Sequence, residues 1–186
     1  MAPTYRKLMG AACAAAMLLA AAVTVAADKR IPADTGDTFV IKWHDGWVIG
    51  TAPPQSPAGS IVFHGADPKR WRVMVAPLPP HPTLTGDVGN LRIYVRNMAR
   101  AMENAGVEVQ LDQSEFAGTA ARGFYVKAHD PNPKAHLKGK DDPYSDGYTG
   151  AVSLDSKPYL FQVVWNDGSE ADASAAFAAL KSIHKL

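Results

Sequence analysis

One amphipathic helix, set between two groups of strand-like segments, is the feature that most constrains how this chain folds. Its apolar residues recur at steps of four and three and therefore share one helical face: Leu91, Val95, Met98, Met102 and Ala105. Thr85 or Asp87 is suited to cap the start, and Gly106 to close the end. The pattern predicts a helix that buries this face against a sheet.

The segments before this helix have the composition of strands. Residues 39–41 and 47–49 are β-branched and aromatic and flank the turn-like sequence His44-Asp45-Gly46, which predicts a hairpin. Residues 61–63 form a short apolar run, and residues 71–75 alternate between apolar and other side chains. Four strands are therefore expected before the helix.

The segments after the helix predict more strands and a second helix. Residues 109–111 and 124–126 are strand-like, whereas Glu115 falls in an apparent turn. Residues 148–154 and 159–165 predict a hairpin closed by residues 155–158. Ser169 begins a capping pattern, and the buried stripe of the closing helix is Ala173, Ala176, Phe177, Leu180 and Ile183.

This order of elements is typical of the α+β class. We expect an antiparallel sheet of about six to eight strands with two main helices packed on it, covering one side.

The N-terminal region has the charge order of an export signal. Arg6 and Lys7 precede an apolar run over residues 8–23, and small residues stand at 25–27. The run is short for a membrane span, so residues 1–27 are predicted to be a signal peptide that is cleaved after Ala27, with no stable membrane insertion afterwards. Residues 28–36 are expected to be an unpacked polar leader, and residues 37–186 a single domain in the periplasm or secreted medium.

Composition and motifs exclude several classes of function. The only cysteine, Cys13, lies inside the predicted signal peptide, so the mature chain has no thiol nucleophile. Basic and acidic residues are nearly balanced, 19 against 18, which disfavours a nucleic-acid partner. The sequence has no G-x-S-x-G, Walker, H-E-x-x-H or dinucleotide-binding motif, so we expect neither an enzyme nor a cofactor.

The polar loop over residues 129–146 carries donors of the kind that metals use. The candidate metal ligands are His129, His136, Asp141, Asp142 and Asp146. The third and twelfth positions of the best calcium-loop alignment are Tyr144 and Ser153, where that motif needs acidic or amide ligands. A solvated loop made of turns is the simpler interpretation.

Two further groups are candidate partner-binding residues. Trp47 and His44 lie together near a turn, where an aromatic face could meet a ligand, although core packing is the favoured explanation for such residues. The basic stripe of the first helix could meet an acidic partner or simply face solvent: Arg92, Arg96 and Arg100.

The element order and the Gly46-Trp47 turn resemble the PsbP-like superfamily over roughly residues 37–186. Its members include extrinsic photosystem proteins, a nuclear import factor and small exported bacterial proteins. The resemblance implies a non-enzymatic scaffold that binds another protein, and it assigns no catalytic residue here. The sequence thus predicts an exported protein-binding domain with an unidentified envelope partner. The alternatives are a metal or small-ligand binding protein that uses the 129–146 loop, and a hydrolase without a recognised motif.

Overall fold

The computed structural model describes residues 26–79, 84, 86–133 and 144–186. Within these ranges the chain forms eleven strands and two helices. The strands are β1 (Ala27–Pro32), β2 (Thr38–Trp43), β3 (Val48–Gly50), β4 (Ile61–His64), β5 (Trp71–Pro77), β6 (Glu108–Val109), β7 (Ser114–Ala117), β8 (Ala121–His129), β9 (Asp146–Leu154), β10 (Lys157–Trp165) and β11 (His184–Lys185). The helices are α1 (Val88–Asn104) and α2 (Glu170–Leu180).

The strands form two antiparallel sheets. The large sheet has eight strands in the order β3-β4-β5-β10-β9-β8-β6, and β7 also pairs with β8. The small sheet has the order β1-β2-β11. The predicted α+β class, with two helices on an antiparallel sheet, is confirmed.

Helix α1 begins and ends where its capping residues predict. The Asp87 carboxylate accepts hydrogen bonds from the backbone N–H groups of Gly89 and Asn90, which would otherwise lack partners. Gly106 follows the helix with a φ of 91°, a left-handed conformation that favours glycine.

The buried face of α1 is rotated from the predicted one. Leu91 and Val95 are fully buried as expected, but the third buried residue is Ala99. Met98 and Met102 are only half-buried and Ala105 is exposed, so these three assignments are corrected. Ala99 lacks a bulky side chain and therefore lets the helix lie close to the sheet, and the two methionines fall at the edge of the contact.

The two helices lie on opposite faces of the large sheet, which corrects the expected one-sided layout. Phe124 of β8 and Ala151 of β9 pack with α1. Their neighbours along the strands, Tyr125 and Val152, point the other way and pack with α2 and the small sheet. Because β8 and β9 are apolar on both faces, each face needs its own cover.

The predicted hairpin between residues 39–41 and 47–49 is wrong. The turn exists, since the Trp47 N–H donates to the His44 carbonyl, but β2 and β3 belong to different sheets. Both edges of β2 are taken, by β1 and by β11, so β3 pairs with β4 instead.

The expected unpacked leader is also corrected, because residues 27–32 form β1. Its register with β2 is complete from Ala27 opposite Trp43 to Pro32 opposite Thr38. Ile31 is only 1% exposed, so this otherwise polar segment contributes to the core. Glu115 lies in β7 rather than in a turn, and neither β7 nor β11 was anticipated.

The β9–β10 hairpin and α2 are confirmed. Two residues, Asp155 and Ser156, form the turn with φ values of 51° and 61°. The predicted stripe is buried in the main core, although α2 ends at Leu180 and Ile183 lies beyond it. Ser169 stands at the capping position, but its side chain makes no capping hydrogen bond and instead accepts from Arg70 Nε at 3.2 Å.

Candidate functional site

Helix α1 covers only part of its face of the large sheet. Helix α1 packs on β8, β9 and β6, and it leaves the neighbouring strands β10 and β5 beside it. Most of the side chains that these two strands present on this face are half-buried, among them Leu160, Gln162, Val164, Arg72 and Met74, whereas Ala76 is buried. Beyond them the connection from β3 to β4 closes the far side, where the Ser56 hydroxyl lies 3.9 Å from the Met74 sulfur. We call this stretch of sheet the open strip.

An apolar recess lies between α1 and the segment that follows β5. Its volume is about 370 Å³, and its described lining residues are Leu78, Pro79, Leu84, Asn90, Ile93, Tyr94 and Asn97. Backbone pairing fixes one wall, because the Leu78 N–H donates to the Pro158 carbonyl at 3.0 Å. We call this feature the apolar recess.

Exposed apolar surface continues from the recess to the outside of α1. Ile93 is 56% exposed, the largest exposed fraction among the big apolar side chains that helices and strands of the described ranges carry. Beside it, burial raises the pKa of the Tyr94 phenol, and this partly buried ring presents an apolar body with a polar tip. A recess with these walls suits an aliphatic or aromatic side chain.

A smaller and more polar cleft, of about 160 Å³, lies near the C-terminal end of α1. Its floor holds Thr149 and Gln162, which stand opposite each other on β9 and β10. Thr149 is only 4% exposed, and its hydroxyl forms no hydrogen bond with the described part of the chain. This cleft has room for a few water molecules that would satisfy the hydroxyl.

The three arginines predicted as a basic stripe are exposed on α1. The Arg92 guanidinium lies 5.4 Å from the centroid of the Phe124 ring. Among the residues with described positions, no carboxylate forms an ion pair with Arg92, Arg96 or Arg100. With respect to the described residues, the stripe is therefore a basic surface without ion pairs, next to Ile93.

The predicted metal ligands fall into two groups. His129 Nδ1 lies 3.0 Å from Asp146 Oδ1, across the β8–β9 pair. His136, Asp141 and Asp142 lie outside the described residues. Within the described ranges, no three His, Cys, Asp or Glu side chains are grouped as a metal site would need.

The aromatic candidates belong to the core of the opposite face. The Trp47 ring stacks on Phe63, with 5.5 Å between the ring centroids, and contacts Trp71 edge-on at 5.3 Å. The His44 ring packs against it at 4.7 Å between centroids. This cluster lies near β3, at the far edge of the large sheet from β8. The structure therefore does not bring Trp47 and His44 together with the arginine stripe, and their contacts are those of packing.

Sequence reasoning missed the apolar recess. Two observations could have indicated it: Ile93 and Tyr94 are large and apolar but fall off the core face of α1, and the proline-rich segment after β5 is itself apolar.

The fold is PsbP-like. The chain is similar to the solution structure of cyanobacterial PsbP (CyanoP) from Synechocystis sp. PCC 6803, with a TM-score of 0.51 and 14% identity, over 89% of this chain and 96% of the other. No model of a known protein family matches the sequence, and no curated protein is significantly similar to it. At this identity the likeness concerns the fold.

Proposed function

We propose that this chain is an exported, non-catalytic domain that binds a protein partner in the cell envelope. The observation that carries the proposal is the apolar recess, bordered by an isoleucine that is more than half exposed. An apolar surface that continues into a recess is typical of a binding site rather than of bare protein surface. A peptide segment that inserts one large side chain into the recess would also cover the exposed Ile93.

The chemistry of the recess supports binding rather than catalysis. Tyr94 is the only titratable side chain among its described lining residues, and burial raises the pKa of its phenol. A nucleophile with an adjacent base, or a pair of carboxylates, would be needed for the common hydrolytic mechanisms. The described lining offers neither.

The export part of the proposal rests on the N-terminal sequence and is compatible with the position of β1. Cleavage after Ala27 leaves Asp28, whose carboxylate lies 2.8 Å from Lys42 Nζ, and the rest of β1 in place. In the described part of the chain, no helix is both long and apolar enough to cross a membrane. Mass spectrometry of the protein from its native host should show a chain that starts at Asp28 or within about two residues of it. Envelope-located protein that retains Met1 would contradict export with cleavage.

Affinity capture from the cell envelope tests the binding function. The tagged mature protein should retain a specific partner, and Ile93→Asp should lose it, because a carboxylate at the mouth of the recess opposes apolar contact. Val48→Asp is the matched control, since Val48 is 45% exposed on β3 and lies at the far edge of the sheet. Both variants should unfold at the wild-type midpoint. Equal capture by wild type and Ile93→Asp would contradict a site at the recess.

A further inference from the structure

We infer that the partner segment bound at the recess is acidic, with one large apolar side chain flanked by carboxylates about one helical turn away. This inference rests on the proposed function and adds the chemistry of the partner. It follows from the surface that surrounds Ile93, which combines an apolar recess with an exposed basic stripe.

The spacing along α1 places the charges beside the apolar contact. Arg96 and Arg100 follow Ile93 by three and seven residues, so they lie on the same side of the helix, one and two turns further along. Asn97 follows by four residues and lines the recess itself. A segment anchored at Ile93 and running parallel to α1 would therefore pass directly over the two guanidinium groups.

Within the described part of the chain, no carboxylate pairs with Arg96 or Arg100. Glu103 is the only acidic residue within α1. Some other cations of the chain are paired, as Lys42 is with Asp28 and Lys127 with Glu170. Carboxylates of a partner would complement the stripe, because arginine binds carboxylates through two parallel hydrogen bonds.

The apolar recess distinguishes a peptide from other anionic partners. Nucleic acids present phosphates and polar base edges, and they bind to surfaces with a large excess of basic residues. Here 19 basic residues stand against 18 acidic ones in the whole sequence, and the basic stripe borders an aliphatic site. An acidic peptide with one large apolar side chain would place that side chain in the apolar recess and its carboxylates against the basic stripe.

Two short synthetic peptides test the inference. Both carry leucine at every third or fourth position; the remaining positions alternate alanine with glutamate in one peptide and alanine with lysine in the other. In fluorescence anisotropy at low salt, the glutamate peptide should bind the mature protein and the lysine peptide should not. Arg96→Glu with Arg100→Glu should weaken the glutamate peptide about tenfold, because two exposed ion pairs are replaced by repulsion, and should create binding of the lysine peptide.

Two controls separate charge from folding and from general attraction. Arg30→Glu makes the same kind of charge change on β1, in the small sheet, and should leave the affinity for the glutamate peptide unchanged. A double-stranded oligonucleotide should not compete with that peptide, and competition would assign the stripe to polyanions. Equal affinity for the two peptides, no binding of either, or no effect of the double reversal would overturn the inference. In any of these cases, Ile93→Asp can still lose capture of the native partner. The capture experiment therefore tests the proposed binding function separately from the acidity of the partner.

Discussion

The ammonium group of Lys185 lies 2.9 Å from a carboxylate oxygen of Asp37, which ties the last strand of the chain to the residue that precedes β2. The hydrogen bond from Lys185 holds the pKa of Asp37 below its usual value, and the same contact raises the pKa of Lys185. Strands β2 and β11 pair over only two residues, and this ion pair adds a side-chain contact beside that short pairing.

The pair predicts a specific loss of stability in acid. A carboxyl group whose pKa is lowered by folding stabilises the folded state above its unfolded pKa of about 4, and this stabilisation is lost as the pH falls through the lower folded value. Asp37→Asn should therefore lower the urea midpoint at neutral pH and make the midpoint less sensitive to pH below about 4. Asp45→Asn, in the exposed turn after β2, is the control and should keep the wild-type pH dependence. Identical pH profiles for Asp37→Asn and wild type would show that the pair does not contribute.

The rotated face of α1 predicts an order of mutational costs. Leu91→Ala should lower the free energy of unfolding by about 2–5 kcal/mol, because it empties a fully buried site. Met98→Ala should cost clearly less, since Met98 is half-buried at the edge of the contact. Urea denaturation of both variants measures the difference. A larger loss of unfolding free energy for Met98→Ala than for Leu91→Ala would indicate that the helix has the orientation that the sequence pattern predicted.

The β9–β10 turn offers a stabilising substitution. Ser156 adopts a φ of 61°, which costs a residue with a side chain more than it costs glycine. Ser156→Gly should raise the free energy of unfolding by about 0.5–1 kcal/mol, with Ser156→Val shifting it in the opposite direction. Unchanged stability in both variants would mean that the turn conformation is not under strain.

Local patterns in the sequence predicted the elements that they determine directly. The α1 helix, its Asp87 cap and the β9–β10 hairpin follow from periodicity and turn residues that lie close together in the chain. The pairing of β2 with β11 could not be predicted in this way, because it joins residues about 140 positions apart and β11 has only two residues. Likewise β1 is polar except for Ile31, so nothing in its pattern indicates a strand until β2 is in place beside it.

Of the candidate site, the sequence predicted the arginine stripe but not the apolar recess. The arginine stripe is visible in the sequence because three arginines share one side of a regular helix. The apolar recess forms because Leu78 and Tyr94, which belong to separate segments, line the same cavity. No local sequence pattern predicts that these two segments lie side by side. For Trp47 the sequence favoured core packing over ligand contact, and its contacts with Phe63 and Trp71 place it against the core.

Site-specific photo-cross-linking in the cell envelope tests the central claim most directly. A photoreactive phenylalanine analogue is placed at position 93, and in a matched strain at position 48, so that both probes replace exposed apolar residues, one on α1 and one on the edge strand β3. We predict that position 93 yields a discrete cross-linked protein that position 48 does not, and that the linked peptide carries acidic residues around an apolar one. The same products from both positions, or no product from position 93, would contradict the assignment of the recess as the binding site.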